Sequence, residues 1–207
     1  MNFTPRHPPL PAGTQAVIFD FDGIIADNAL IRQEALRHAL GLHGVLLDVG
    51  WYQHNLGLSI REMLAAMPEA RNVPHDSVIA ASRSHLLAAM DTLEAIPATL
   101  AFMAAVEAAG LPSAVASGAS GILVRPALKA LGLEDRFATV VVREDAPRGK
   151  PAPDLFLEAA RRLQIAPAQC LAVDDAIDGI AAAHAAGMKA LTLADGLLVP
   201  VAQGTAT

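Results

Sequence analysis

Short, unbroken apolar runs recur along the chain at Ala16–Phe19, Ser113–Ala116, Thr139–Val142, Leu171–Val173 and Ala190–Leu193. Runs this short with no polar alternation predict strands buried on both faces. Between them the apolar positions fall at helical spacing over Leu100–Ala109, Asp154–Leu163 and Ile177–Ala186. Strand followed by helix, repeated, implies right-handed crossovers and a parallel sheet with helices on both faces, so the predicted class is α/β. One stretch breaks the alternation. From Asn28 to Leu93 the spacing predicts helices, as at Ile31–Leu40 and Val78–Met90, and no convincing strand. That reads as an all-helical insertion after the first strand, giving a core of residues 1–27 and 94–207 and an insert of residues 28–93. Residues 1–13 carry prolines at 5, 8, 9 and 11 and predict an irregular leader. No internal repeat or low-complexity segment stands out.

Composition changes this picture little. Hydrophobic residues make up 53% of the 207 and charged residues 17%, enough apolar surface to build a core by burial alone. The single cysteine, Cys170, has no intrachain disulfide partner and suits a reducing compartment; at the mouth of an apolar strand it reads as an inert buried thiol. With no leader-like or membrane-length apolar run, the expected location is cytoplasmic and no membrane partner is expected. A net charge of −6 without a basic cluster argues against nucleic acid, whose backbone demands concentrated Lys and Arg. A small anion held at one local site remains compatible.

Ligands of an open parallel sheet collect outside the carboxyl ends of its strands, and four such ends carry polar residues. The first is Asp20-Phe21-Asp22-Gly23, two acids two positions apart after an apolar strand. Crowded carboxylates repel, and a divalent cation is the usual remedy. The second is Ser117-Gly118-Ala119-Ser120, a hydroxyl with loop amides able to hold phosphate oxygens. The third is Gly149-Lys150-Pro151-Ala152-Pro153-Asp154, a lysine ahead of a proline-initiated helix, and the fourth is Asp174-Asp175.

These four motifs, in this order, resemble those of the haloacid dehalogenase superfamily, in particular its beta-phosphoglucomutase-like phosphatases. The likeness extends to Gly179 and to Ala185-Ala186-Gly187-Met188, and thus spans both ends of the chain. The resemblance implies a Rossmann-like core with residues 28–93 as a helical cap. It also implies Mg²⁺-dependent hydrolysis of a small phosphate monoester. Asp20 would be the nucleophile that becomes phosphorylated, and Asp22 the acid for the leaving oxygen and then the base for water. Gly23, Ser117, Gly118 and Lys150 would hold the phosphoryl group. Asp20, the Asp22 carbonyl, Asp174 and Asp175 would ligate Mg²⁺ through oxygen, with Asp174, an aspartate where the mutase has glutamate, reaching it directly or through water. The partner would be a small phosphorylated metabolite, and the protein a monomer or small homo-oligomer.

Other residues read more plainly. Asp27 is expected to cap the helix entering the insertion, Asp154 to begin its own helix, and Asp178 to lie on a helix surface. Phe19 and Phe21 are expected in packing, and none of the seven histidines has metal-ligand spacing.

Within the superfamily the residues narrow the chemistry. Asp22 is the second acid that dehalogenation does not use and phosphoryl transfer does. Schiff-base hydrolysis of phosphonoacetaldehyde needs a cap lysine, and no lysine precedes Lys129. Ungapped alignment places the mutase's cap histidine at Arg32 and its cap lysine and arginine at Leu56 and Ile60, which favours water as the final acceptor and leaves a phosphosugar mutase as the alternative. A binding protein without activity would have no need of paired acids beside an anion. The insert offers Arg32, His54, Asn55 and Arg61 to a polar substrate. Arg32 suits a second anion, as on a sugar phosphate or a phosphorylated sugar acid.

Overall fold

The computed structural model describes residues 7–56 and 58–202. It divides into two compact units, Met1–Asp27 with Glu94–Thr207, and Asn28–Leu93. Of the leader, residues 7–13 contain no helix or strand, and Pro5 lies outside the described residues.

The first unit is built on β1 (Ala16–Phe19), whose four residues are fully buried. It is flanked by β4 (Ser113–Ala116) and β6 (Cys170–Val173), then by β5 (Thr139–Val141) on one side and β7 (Lys189–Ala194) on the other. These five strands are parallel. A sixth, β8 (Leu197–Val201), closes the β7 edge in antiparallel pairing. It departs from the all-parallel expectation. Its origin is local: Asp195 and Gly196, with φ of 50° and 74°, form a two-residue turn that reverses the chain. Pro200, which has no N–H to give a ladder, sits on this edge strand opposite Leu191.

Side chains alternate across β1. Ala16 and Ile18 join Ala114, Ala116, Ala172 and Ala190 on one face, beneath α7 (Asp154–Leu163) and α8 (Ile177–Ala185). Alanine on the sheet, met by Ala159, Ala160, Ala182 and Ala183 on the helices, lets backbones approach closely, and Phe156 fills the remaining space. On the other face Phe19 packs edge-on against Phe102 of α5 (Pro97–Ala108) and against Phe137. Burying a side chain of this size stabilises by roughly 1.5–3 kcal/mol. Helix α6 (Gly121–Ala130) carries Pro126 inside it and was not apparent from its spacing.

Two short strands, β2 (Ala26–Asp27) and β3 (Glu94–Ala95), pair antiparallel where the chain leaves this unit and returns. Asp27 therefore belongs to a strand and is exposed. The residue preceding the first helix of the second unit is Asn28, which corrects the expectation that Asp27 caps it.

The second unit contains α1 (Ala29–Gly41), α2 (Val49–His54), α3 (Ile60–Ala66) and α4 (His75–Ala88). It has its own apolar cluster, with Leu36, Leu40, Tyr52, Met63, Leu64 and Val78 among its buried members. Ser59 and Glu62 form a reciprocal capping box at the start of α3.

Candidate active site

Strand order runs outward from β1 in both directions, so β1 is the switch point of the sheet and the crevice beyond its carboxyl end is where a ligand fits. Phe19 is in register with Val115 of β4 and Val173 of β6. Asp20, Ser117 and Asp174 therefore leave three neighbouring strands at one rim.

Asp20 and Asp174 are buried, and Asp175 keeps an exposed edge. One carboxylate oxygen from each can be chosen so that all lie within 4.8 Å of one another. Lys150, delivered by the loop between β5 and α7, reaches into this group. Its Nζ donates to Asp20 Oδ1 at 2.5 Å and to Asp174 Oδ2 at 2.6 Å. Beneath it lies the ring of Phe156, 5.2 Å away at its centroid, an apolar and cation-tolerant floor. An ammonium has three donors; with two on carboxylates, the third is left for a ligand.

The electrostatics show a shortage of positive charge. Burial drives the Asp20 carboxyl up to about 8. Lys150 opposes the rise, while Asp174 and Asp22 add to it. Partial burial and the neighbouring Asp174 also raise Asp175. Burial works against the Lys150 charge, yet Asp20 and Asp174 hold its ammonium above the ordinary lysine range. One lysine does not satisfy three acids. Oxygen donors in this arrangement suit a small hard cation.

Both oxygens of Asp174 accept a hydrogen bond: beyond the Lys150 bond on Oδ2, its Oδ1 accepts from the Ala176 amide at 3.1 Å. Its carboxylate lies against Gly179 of α8, where a Cβ would overlap it. Each oxygen retains a second lone pair, so direct ligation of a cation is compatible with the anchoring. Gly23, with φ of 75°, makes the matching accommodation for Asp175, whose carboxylate occupies the space a Cβ would need. The Gly23 N–H donates to the Ala26 carbonyl at 3.0 Å, so this amide is engaged in the turn and is not an open donor to phosphate. Asp22 is half-buried.

Ser117 is fully buried, its amide donating to the Val141 carbonyl at 3.0 Å and its Oγ accepting from the Ala119 amide at 3.0 Å. Gly118 beside it is exposed. Helix α6 starts only at Gly121, so Ser117 belongs to the loop and does not cap the helix.

The four candidates of the insert lie in the second unit. Arg32 stands half-buried in the first turn of α1. His54 Nδ1 donates to the Gly50 carbonyl at 2.7 Å, Asn55 to the Trp51 carbonyl at 2.7 Å, and Arg61 pairs with Asp76 at 2.6 Å. Asp154 begins α7 and pairs with Arg148 at 2.8 Å, while Phe19 and Phe21 are buried in packing. Cys170 opens β6, and burial pushes its thiol up to about 11, away from reactivity. Among the described residues no helix is long and apolar enough to cross a membrane.

Sequence reasoning did not foresee Phe156 beneath Lys150, or why Gly179 must be glycine. A glycine inside a helical pattern costs stability and thereby signals a packing reason, but only the fold shows that the reason is Asp174.

A mostly parallel α/β sheet with an acid-lysine cluster at its switch point is the class of protein the fold and site define, and this chain belongs to the haloacid dehalogenase-like hydrolase family, whose pattern it matches over residues 17–193. Within that family it is similar to the fructose-1-phosphate phosphatase YqaB of Escherichia coli, at 32% identity over 84% of this chain and 94% of that one. It is also similar to the beta-phosphoglucomutase of Bacillus subtilis, at 27% identity over 88% of this chain and 84% of the other. The crystal structure of CbbY from Rhodobacter sphaeroides in complex with phosphate shares the fold, with a TM-score of 0.78 and 22% identity over 86% of this chain and 85% of that one.

Proposed function

We propose that this chain is a Mg²⁺-dependent phosphatase that hydrolyses a small phosphate monoester through a phosphorylated Asp20. The observation that carries the reading is Lys150 bridging Asp20 and Asp174 beside Asp175: a buried acid at a strand end, held by a cation that also has a donor to spare. Asp20, the Asp22 carbonyl, Asp175 and Asp174 would hold Mg²⁺. When bound, the ion would supply positive charge to keep Asp20 ionised and to offset charge on the transferring phosphoryl group.

The remaining steps fall to side chains. A carboxylate oxygen of Asp20 forms a bond to phosphorus as the bond to the ester oxygen breaks, and the protonated Asp22 gives its proton to that oxygen. Asp22, now a carboxylate, takes a proton from water as the water oxygen attacks phosphorus. The acyl-phosphate bond breaks, and inorganic phosphate and free Asp20 result. Ser117, Gly118 and Lys150 hold the phosphoryl oxygens throughout. In this scheme Gly23 shapes the turn and makes room for Asp175, and does not itself donate to phosphate.

The sugar-phosphate relative supports a phosphorylated sugar as the substrate class. Arg32 would meet a second anion on it; Arg32→Ala should then raise KM mainly for doubly anionic substrates, and equal losses for all esters would remove that role. His54, Asn55 and Arg61 would contribute only by giving up the local bonds they make. Helical residues 28–93 would serve as the cap.

Wild type should turn over p-nitrophenyl phosphate with Mg²⁺, lose activity to chelator, and lose nearly all of it in Asp20→Asn. Undiminished activity in Asp20→Asn sinks the mechanism. Similarity to a beta-phosphoglucomutase supports a second reading as a phosphosugar mutase. That reading requires conversion of hexose 1-phosphate to the 6-phosphate, with a bisphosphate activator, faster than phosphate release.

A further inference from the structure

The turn after β5 is fastened to the loop after β4 by an acid that lies outside the four motifs. Arg143–Asp145 form one 3-10 turn. From it, the Glu144 carboxylate accepts the Ser120 hydroxyl on Oε1 and the Gly121 amide on Oε2, the latter at 3.0 Å. The Arg143 amide donates to the Ala119 carbonyl at 3.0 Å. Ser120 stands at the N-cap position of α6 yet makes no capping bond of its own, so the first exposed amide of that helix is satisfied across 23 residues of sequence by Glu144. Gly121 permits this closeness, since a Cβ there would press on Val142 at 3.1 Å.

The same turn is anchored on its other side. Asp145 accepts the Val142 amide at 2.9 Å and pairs with Arg162 of α7 at 2.7 Å, and Arg162 pairs in turn with Glu158. The chain then runs on to Lys150. Glu144 thus joins the loop bearing Ser117 and Gly118 to the segment bearing Lys150. Although partial burial works the other way, the bonds from Ser120 and Gly121 hold its carboxyl below the ordinary glutamate value, so it is an anion at neutral pH.

We infer that Glu144 is a positioning residue: with both oxygens committed to Ser120 and Gly121, it fixes the 117–120 loop relative to Lys150 and so sets affinity for the phosphoryl group without touching it. This rests on the phosphatase reading above. A loop held in its bound geometry costs less to order when phosphate arrives. Loss of the brace should therefore weaken phosphate binding while the acids that hold the cation stay in place.

The test uses full-length wild type, Glu144→Ala, Glu144→Gln and Ser120→Ala with Mg²⁺. Turnover of p-nitrophenyl phosphate, competition by inorganic phosphate, Mg²⁺ titration and melting temperature are read together. Glu144→Ala should weaken inorganic phosphate and raise KM by about tenfold, the scale of losing a hydrogen bond to a charged group. It should leave kcat within about threefold and half-saturating Mg²⁺ within about twofold. Glu144→Gln keeps an acceptor for Gly121 and a donor for the Ser120 oxygen, and should restore phosphate affinity to within about twofold. Ser120→Ala, which removes one bond only, should lose about threefold, and carries the test if Glu144→Ala fails to fold. Unchanged phosphate affinity in Glu144→Ala and Ser120→Ala overturns the inference, as does a loss that runs in parallel through kcat, Mg²⁺ and melting temperature. A wild type that neither binds phosphate nor cleaves its esters overturns the phosphatase reading as well. An active wild type matched by the variants removes only the role of Glu144.

Discussion

A carboxyl group that holds its proton up to about pH 8 behaves unlike an ordinary aspartate, and Asp20 does so because burial outweighs the help of Lys150. In the metal-free protein the folded state keeps this proton while the unfolded chain releases it near pH 4. The stabilising contribution is thus fully present below about 3.8 and is lost as pH rises through about 8. In chelator, Asp20→Asn should melt with wild type at pH 4 and progressively above it toward pH 8; a constant offset across that range, by calorimetry or circular dichroism, would contradict the assignment. Gly179→Ala has the opposite sign from the usual gain of alanine over glycine in a helix, because the new methyl group lands on the Asp174 carboxylate. Thermal melts should show a loss of about 1–3 kcal/mol, and phosphate-ester turnover a fall of about 100-fold, as misplacement of a positioning group implies. The acids themselves were legible in the sequence because each follows a short apolar run of strand length within a repeated strand-helix alternation. Glu144 and the Gly179 contact were not, since each partner is defined by tertiary packing and not by any local spacing.

Among the elements, β1, β4 and α7 could be read to the residue, because unbroken apolar runs and a strongly two-sided helix leave little alternative. The strand β8 escaped for a physical reason: Pro200 argues against a strand, and only the edge position, where an N–H is not required, removes the objection. The Asp195-Gly196 pair was the available signal. At the other edge, Arg125 and Arg162 both donate to the Val140 carbonyl, at 3.4 and 3.3 Å, which blunts β5 against pairing with another chain. Helix α5 carries a fault of its own. The hydroxyl of Thr99 is fully buried and finds no partner among the described residues, and an unpaired buried hydroxyl costs about 1 kcal/mol or more. Thr99→Val keeps the shape and removes the polar atom. It should raise the melting temperature by about 2–4 °C with turnover unchanged; a lower melting temperature would mean that the hydroxyl is satisfied in solution.

At the scale of the whole molecule, two units with separate apolar clusters share one chain that crosses between them twice. Both crossings occur at β2 and β3, where Asp27 faces Glu94. That antiparallel register is the one a two-residue hairpin requires. Joining Asp27 to Glu94 through Asn-Gly should therefore give a folded core that melts cooperatively and, on the phosphatase reading, binds Mg²⁺ through its acids. A molten species with native helix content but no cooperative transition would show that the insert is needed for folding. The paired acids across the join repel, and replacing Glu94 with lysine should help the shortened chain. With its exit and entry paired through β2 and β3, the insert leaves and rejoins the core through a neck of fixed width. Nature or an engineer can exchange residues 28–93 as a cassette, because both cuts fall at one pair of neighbouring backbone segments and leave the core sheet and the acids at its rim uninterrupted.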